Sequence, residues 1–187
     1  SSSNEAILTA SASPGATEGT YLIGVNRLAL HDNFVSDTRF STANEAIGTG
    51  SFTLTVGSSS TVVTIDDTNN TLDGLRRAVN NANLGVTAAV IYDGSGYRLT
   101  ITSKESGSTS AISISENTLT LSDGVTPLTF SRTHSISDAS ELDASLVING
   151  LSLTSSSNQV ENAVPGVSLN LLSVSDSTVT LTVRNDI

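Results

Sequence analysis

Ser51-Phe52-Thr53-Leu54-Thr55-Val56-Gly57, followed by Asn70-Thr71-Leu72-Asp73-Gly74-Leu75-Arg76-Arg77-Ala78-Val79-Asn80-Asn81-Ala82-Asn83, decides how this chain folds. From Phe52 to Val56 apolar and hydroxyl residues alternate, the period of a half-buried strand, and a β-branched threonine suits the outward positions of a pleated surface. In the second segment Leu72, Leu75, Val79 and Ala82 recur at helical spacing on one face. This predicts one short helix over 71–83, with Asn70 or Thr71 as its N-cap, Asp73 near the positive end of the helix dipole and Gly85 as the C-terminal cap. A helix of that length is marginal alone, so its Leu/Val stripe is expected to dock on a neighbouring sheet.

Moving outward, period-two alternation dominates. Tyr97-Arg98-Leu99-Thr100-Ile101, Ala111-Ile112-Ser113-Ile114, Leu119-Thr120-Leu121 and Val179-Thr180-Leu181-Thr182-Val183 all read as strands. Two turn signals join strands into hairpins. Asp93-Gly94-Ser95-Gly96 separates the run Val86 to Ile91 from Tyr97-Arg98-Leu99. Asn149-Gly150 separates Leu146-Val147-Ile148 from Leu151-Ser152-Leu153, and both turn residues tolerate the positive φ of a type I′ turn. The 32 Ser and 25 Thr could also signal a glycosylated stalk. Such stalks are proline-rich and lack alternation, whereas this chain has three Pro and an apolar face on strand after strand.

The fold class expected is therefore mainly β: two β-rich domains of antiparallel sheets, sandwich-like, one inserted in the other. Residues 46–138 hold strands, the helix and a hairpin around a core of their own. Residues 1–45 and 139–187 look incomplete separately and are expected to pair as one discontinuous domain, which would bring the two ends of the chain together.

Charge and composition narrow the function classes. Eight basic against 18 acidic residues give a net charge of −10 from 14% charged residues, and Lys104 is the single lysine. The positive footprint needed to neutralise phosphates is missing, so nucleic acid is not expected as a partner. No apolar run approaches the ~20 residues of a membrane span, and no signal-peptide pattern opens the chain. The absence of Cys excludes disulfides, zinc–thiolate sites and cysteine nucleophiles. With no Met and a start at Ser1-Ser2-Ser3, the sequence reads as a piece of a longer chain.

No chemistry-bearing motif survives inspection. Asp66, Thr68 and Asn70 alternate like calcium ligands, but Thr71 stands at the EF-hand position that requires Gly and Arg77 at the one that requires Glu. The segment reads instead as an Asx-rich turn leading into the helix. His31 and His134 are far apart in sequence, and there is no H-E-x-x-H, G-x-S-x-G or P-loop. Asp66 and Asp67 read as solubilising charge, and the four Phe and three Tyr are dispersed, so no aromatic platform is expected. No catalytic, cofactor-binding or metal residue is expected, and the chain reads as a non-enzyme.

Three stretches resemble the flagellar hook-associated protein 2 family. The first runs from Gly19 to Ala29 through Tyr21, Ile23, Val25 and Leu28. The second runs from Gly48 to Gly57, then Thr64-Ile65-Asp66, Asn70 to Leu75, Ala78-Val79-Asn80 and Gly85-Val86-Thr87-Ala88; it is similar to a module shared by flagellins and hook-associated proteins. The third is Val147 to Leu151, Ser157-Asn158 and Ala163-Val164-Pro165-Gly166-Val167-Ser168-Leu169. Val79 stands where the family usually has Ile. The resemblance implies the outer β domains of a bacterial flagellar filament cap, extracellular at the filament tip. Its implied partners are flagellin and other cap subunits, with host mucin or glycan as an adhesive option, and neither cofactor nor membrane is implied. Two alternatives stay open: the variable outer region of flagellin or another hook-associated protein, and a glycan-binding adhesin module.

Overall fold

A computed structural model describes residues 1–186. In chain order the strands are β1 (Leu8–Ala12), β2 (Gly19–Arg27), β3 (Asn33–Ser36), β4 (Gly50–Val56) and β5 (Ser59–Ile65), then helix α1 (Leu72–Asn81). There follow β6 (Val86–Tyr92), β7 (Tyr97–Ser103), β8 (Ile112–Ser115), β9 (Phe130–Arg132), β10 (Ala144–Ile148), β11 (Leu151–Ser155), β12 (Gln159–Glu161), β13 (Val167–Leu171) and β14 (Val179–Val183). All named pairings are antiparallel, and they form four sheets. The mainly β class with one helix is what the alternation predicts.

The chain divides into two compact units. The first comprises Ser1–Leu30, Ser106–Ser108 and the chain from Asp138 onward. Its sheets run β11-β10-β2-β14 and β1-β13-β12. Alternate residues of both sheets meet in one core: Ile23, Val25, Leu146, Leu181 and Val179 from one, Leu8, Val160, Val167 and Leu169 from the other. This is sandwich packing, in which each strand contributes every second side chain to the shared interior. The Asn149-Gly150 turn forms as predicted: Ile148 pairs with Leu151, and the two turn residues have φ +48° and +82°.

The second unit comprises His31–Glu105 and Thr109–Ser137. Its sheets run β6-β7-β3-β9 and β5-β4-β8. Helix α1 packs on β5 and β6 through Leu72, Leu75 and Val79, all fully buried, among Phe52, Leu54, Ile65, Val86 and Leu99. Burying each Leu contributes about 1.5–3 kcal/mol, which is what a helix too short to stand alone requires. Thr71 caps the helix, its Oγ1 accepting from Gly74 N–H at 3.0 Å. Gly74 is the residue that lets the chain turn so tightly there, because a Cβ at this position would meet the Asn69 carbonyl oxygen at 2.0 Å. At the far end the helix is capped by Ala82, and the first left-handed residue is Asn83 at φ +54°, two positions before the expected Gly85.

Two further expectations differ from the structure. Residues 31–45 lie in the second unit, not with 1–30: β3 pairs with β7 and β9, and Phe40 pairs with Tyr97. Ser106–Ser108 in turn belong to the first unit, held there by Asp143, whose carboxylate accepts from Ser108 N–H at 2.7 Å and from its hydroxyl at 2.8 Å. Boundaries therefore fall at 30/31 and 137/138, with a short return at 106–108. The alternating Leu119-Thr120-Leu121 forms no strand. It makes isolated bridges only, Thr120 with Pro127 and Leu121 with Ile47, because Asn117 bends the chain by bonding both Leu119 N–H and the Leu128 carbonyl.

Candidate functional site

The histidines, far apart in sequence, come together within the second unit. His134 Nε2 lies 2.8 Å from the His31 carbonyl, and His31 Nδ1 lies 3.0 Å from the Ser103 carbonyl. A carbonyl only accepts, so each of these two ring nitrogens carries the proton and donates. Among the described residues no group of three or more His, Asp or Glu is placed to hold a metal ion. Asp66 sits in an Asx turn: its Oδ1 accepts from Thr68 N–H and hydroxyl, while Asn69 Oδ1 accepts from Asp66 N–H. No helix of the described residues is long and apolar enough to cross a membrane.

Several carboxyls stand below the ordinary carboxylate range. The Thr68 hydroxyl holds down Asp66, Arg76 and then Arg77 hold down Asp73, and the Ser95 N–H holds down Asp93. The Thr126 hydroxyl does so for Asp123 and the Ser140 N–H for Asp138. A carboxyl depressed in the folded state contributes stability present above its unfolded pKa, near pH 4, and lost as pH falls through the folded value. Melting temperature is expected to be flat from about pH 7 to pH 5 and to fall below about pH 4. In a calorimetric pH series Asp73→Asn should lose less than wild type on acidification, a difference that separates this effect from general relief of the negative charge. Equal slopes for the two proteins would contradict it.

The asparagines of the quoted motifs have a shared role that residue types alone did not disclose. Asn80, at the end of α1, turns its side chain onto the outer edge of β6: Oδ1 accepts from Ala88 N–H at 2.7 Å and Nδ2 donates to the Ala88 carbonyl at 3.1 Å. Asn158 does the same for Ala29, at 2.6 and 3.1 Å. Asn149 closes Leu22, its Oδ1 accepting from Leu22 N–H at 2.7 Å and its own N–H donating to the Leu22 carbonyl. Each amide finishes the backbone pairing where a neighbouring strand has stopped. Because Ala88 and Ala29 are buried, their backbone groups need such partners.

One surface feature was missed. Tyr92 and Tyr97 pair across the β6–β7 hairpin with ring centroids 5.2 Å apart and planes at 49°, beside Asp93, which Arg39 contacts at 2.7 Å and Arg98 at 3.8 Å. Tyr92 is 60% exposed, and its hydroxyl donates to the Gly94 carbonyl. The signal was available: a turn over 93–96 places 92 opposite 97.

The described chain is thus two sandwich-like β units, one of them carrying a helix locked to its sheet by an asparagine. Residues 51–105, which span that helix and hairpin, match the family model "Flagellin hook IN motif", and residues 142–187 match "Flagellar hook-associated protein 2 C-terminus". The B-type flagellar hook-associated protein 2 of Pseudomonas aeruginosa is 32% identical over 201 residues, covering 99% of this chain and 42% of that protein. Flagellar hook-associated protein 2 of Escherichia coli O157:H7 is 31% identical over 168 residues, covering 86% of this chain and 36% of that protein. The chain thus spans less than half the length of these relatives. A crystal structure of the flagellar cap protein FliD D2-D3 domains from Escherichia coli is similar at TM-score 0.83 and 28% identity, with 100% of this chain and 97% of that one covered. FliD (HAP2) from Pseudomonas aeruginosa PAO1 is similar at TM-score 0.75 and 27% identity, with 97% and 86% covered. The chain belongs to the flagellar hook-associated protein 2 family.

Proposed function

We propose that this chain is the outer, structural part of a bacterial flagellar filament cap, extracellular at the filament tip, where the parent protein assembles with other cap subunits and promotes flagellin polymerisation without catalysing a reaction. The observation that carries the reading is end-to-end correspondence with the D2-D3 domains of a flagellar cap protein, nearly all of both chains being covered. The alternative of a flagellin outer region has less support, since the motif named for flagellin covers residues 51–105 while the relatives matched along most of the chain are hook-associated proteins 2. Deletion of the parent gene is expected to leave cells without filaments and shedding unpolymerised flagellin into the medium. Normal filaments in that mutant would end the proposal.

A second reading, adhesion to host mucin or glycan, is favoured by one observation, the exposed Tyr92 stacked on half-buried Tyr97 and flanked by Asp93 and Arg39. Aromatic faces beside hydrogen-bonding groups suit sugar rings, whose C–H faces pack on aromatics while hydroxyls find polar partners. Mucin binding by the purified chain that is lost in Tyr92→Ala would support it; binding unchanged in that variant would remove the tyrosine pair from the explanation.

A further inference from the structure

Of the 15 Asn in the chain, Asn149 alone is followed by Gly. An asparagine amide is thermally labile because the next backbone nitrogen can attack it, and glycine alone places no Cβ beside that nitrogen. Asn149 and Gly150 are both exposed, and a Cβ at Gly150 would find nothing within 4 Å, so packing does not keep water or hydroxide away. The reaction balances with water as its one co-reactant. Hydroxide takes the Gly150 amide proton and the nitrogen forms a bond to Asn149 Cγ. The Cγ–Nδ2 bond then breaks, ammonia leaves with a proton returned from water, and a five-membered succinimide remains. Water opens either ring carbonyl: attack at Cγ gives aspartate, and attack at the main-chain carbonyl gives isoaspartate, which adds a methylene to the backbone.

Two features of the fold act on this step in opposite directions. The Leu22 N–H donates to Asn149 Oδ1 at 2.7 Å, which polarises the amide carbonyl as a single oxyanion donor would. Backbone angle acts the other way. Positive φ at both residues of a two-residue hairpin closed by the Ile148–Leu151 pair is a type I′ turn, in which ψ of the first central residue is about +30°. Ring closure needs the Gly150 nitrogen eclipsed with the Asn149 Cβ about the Cα–C bond, which for an L residue is a ψ of about −120°. In the turn that nitrogen stands nearly opposite Cβ, out of reach of Cγ, and a polarised carbonyl gains nothing from a nucleophile that cannot approach it. Leu22 also resists the rotation that would bring them together, since its carbonyl accepts from Asn149 N–H at 2.8 Å while its N–H holds the side chain.

We propose that Asn149 is a deamidation site gated by its own hairpin, closed to succinimide formation while Leu22 holds it and open whenever the turn leaves Leu22. The gate works in one direction. In isoaspartate the added methylene shifts the groups that Leu22 binds, so a modified turn no longer closes as before, and the modification marks chains that have spent time open or unfolded. This inference stands on the turn geometry and is independent of the cap reading.

Tandem mass spectrometry of the 187-residue chain kept at mildly alkaline pH follows the gain of about 1 Da at residue 149 as NH2 gives way to OH. The native chain is expected to deamidate there at least about thirtyfold more slowly than the same chain in concentrated urea, the factor that two hydrogen bonds set together. Leu22→Pro deletes the N–H that holds Oδ1 and should raise the native rate about fivefold or more. Wild type in sub-denaturing urea gives a reading that needs no variant to fold: the rate at Asn149 should rise in step with hydrogen exchange of the Asn149 amide. Equal rates in native and urea-unfolded wild type, a native chain that reacts faster, no reaction at Asn149 in urea, a folded Leu22→Pro with the wild-type rate, or a rate that ignores amide exchange would each overturn the proposal.

Discussion

Asp32→Ala is expected to cost about 3–5 kcal/mol of unfolding free energy, enough to unfold a large fraction of the second unit under mild denaturant. Asp32 is fully buried. Its carboxylate takes a two-pronged contact from Arg132, Nε to Oδ1 at 2.8 Å and Nη2 to Oδ2 at 2.9 Å, and also accepts from Ile112 N–H at 2.7 Å and Asn33 N–H at 3.0 Å. The carboxylate raises the pKa of Arg132, whose guanidinium also lies over the Phe34 ring at 5.0 Å. Removing the carboxylate strands a half-buried cation and a buried N–H together, and leaving one buried charge uncompensated is far worse than removing both. The double variant Asp32→Ala/Arg132→Met should therefore be more stable than Asp32→Ala alone. Urea unfolding followed by circular dichroism measures both. A single variant within about 1 kcal/mol of wild type, or a double variant less stable than the single, would show that the pair does not hold this unit together.

Asn80→Ala should come next, at about 2–4 kcal/mol, since it leaves both backbone groups of Ala88 without partners where water has little access. Its effect should be local to the helix–β6 contact, seen as faster exchange of the Ala88 amide. Asn80→Asp keeps the acceptor for Ala88 N–H but cannot donate to the Ala88 carbonyl when ionised, so it should not rescue stability at neutral pH. Full stability of Asn80→Ala would mean that the Leu72, Leu75 and Val79 stripe alone docks the helix.

Much of the architecture was legible because its causes are local. Phe52 to Val56 alternates because every second side chain of β4 enters the core, and the buried set is Phe52, Leu54 and Val56. Asn149-Gly150 forms a hairpin because two adjacent residues must take positive φ, which few residue types accept. The helix end was misplaced by two residues because Asn83 takes the left-handed conformation that Gly85 was expected to supply. The domain boundary was misplaced because β3 spans four residues, Asn33–Ser36, and carries too little pattern to announce its partners. Leu119-Thr120-Leu121 carried a strand pattern but found only isolated bridges, since the chain around it is bent by Asn117. The candidate surfaces were legible only in part: the hairpin that pairs Tyr92 with Tyr97 was readable, whereas nothing local marks which edges stay open.

By itself the sequence determined the β class, the single helix with its buried stripe and the two hairpins, because each follows from steric preferences and apolar spacing within a few residues. Only the tertiary structure decided who partners whom. Asp32 meets Arg132 across 100 residues, and Asn158 meets Ala29 across 129. These pairings exist because a buried backbone group or charge must find a partner somewhere in the packed chain, and that requirement is met by proximity in space, which local pattern does not encode. The edge position of β11 is the same fact in reverse: Ser152 and Thr154 look like any other strand residues until the fold shows that, among the described residues, β10 is the one strand paired with them.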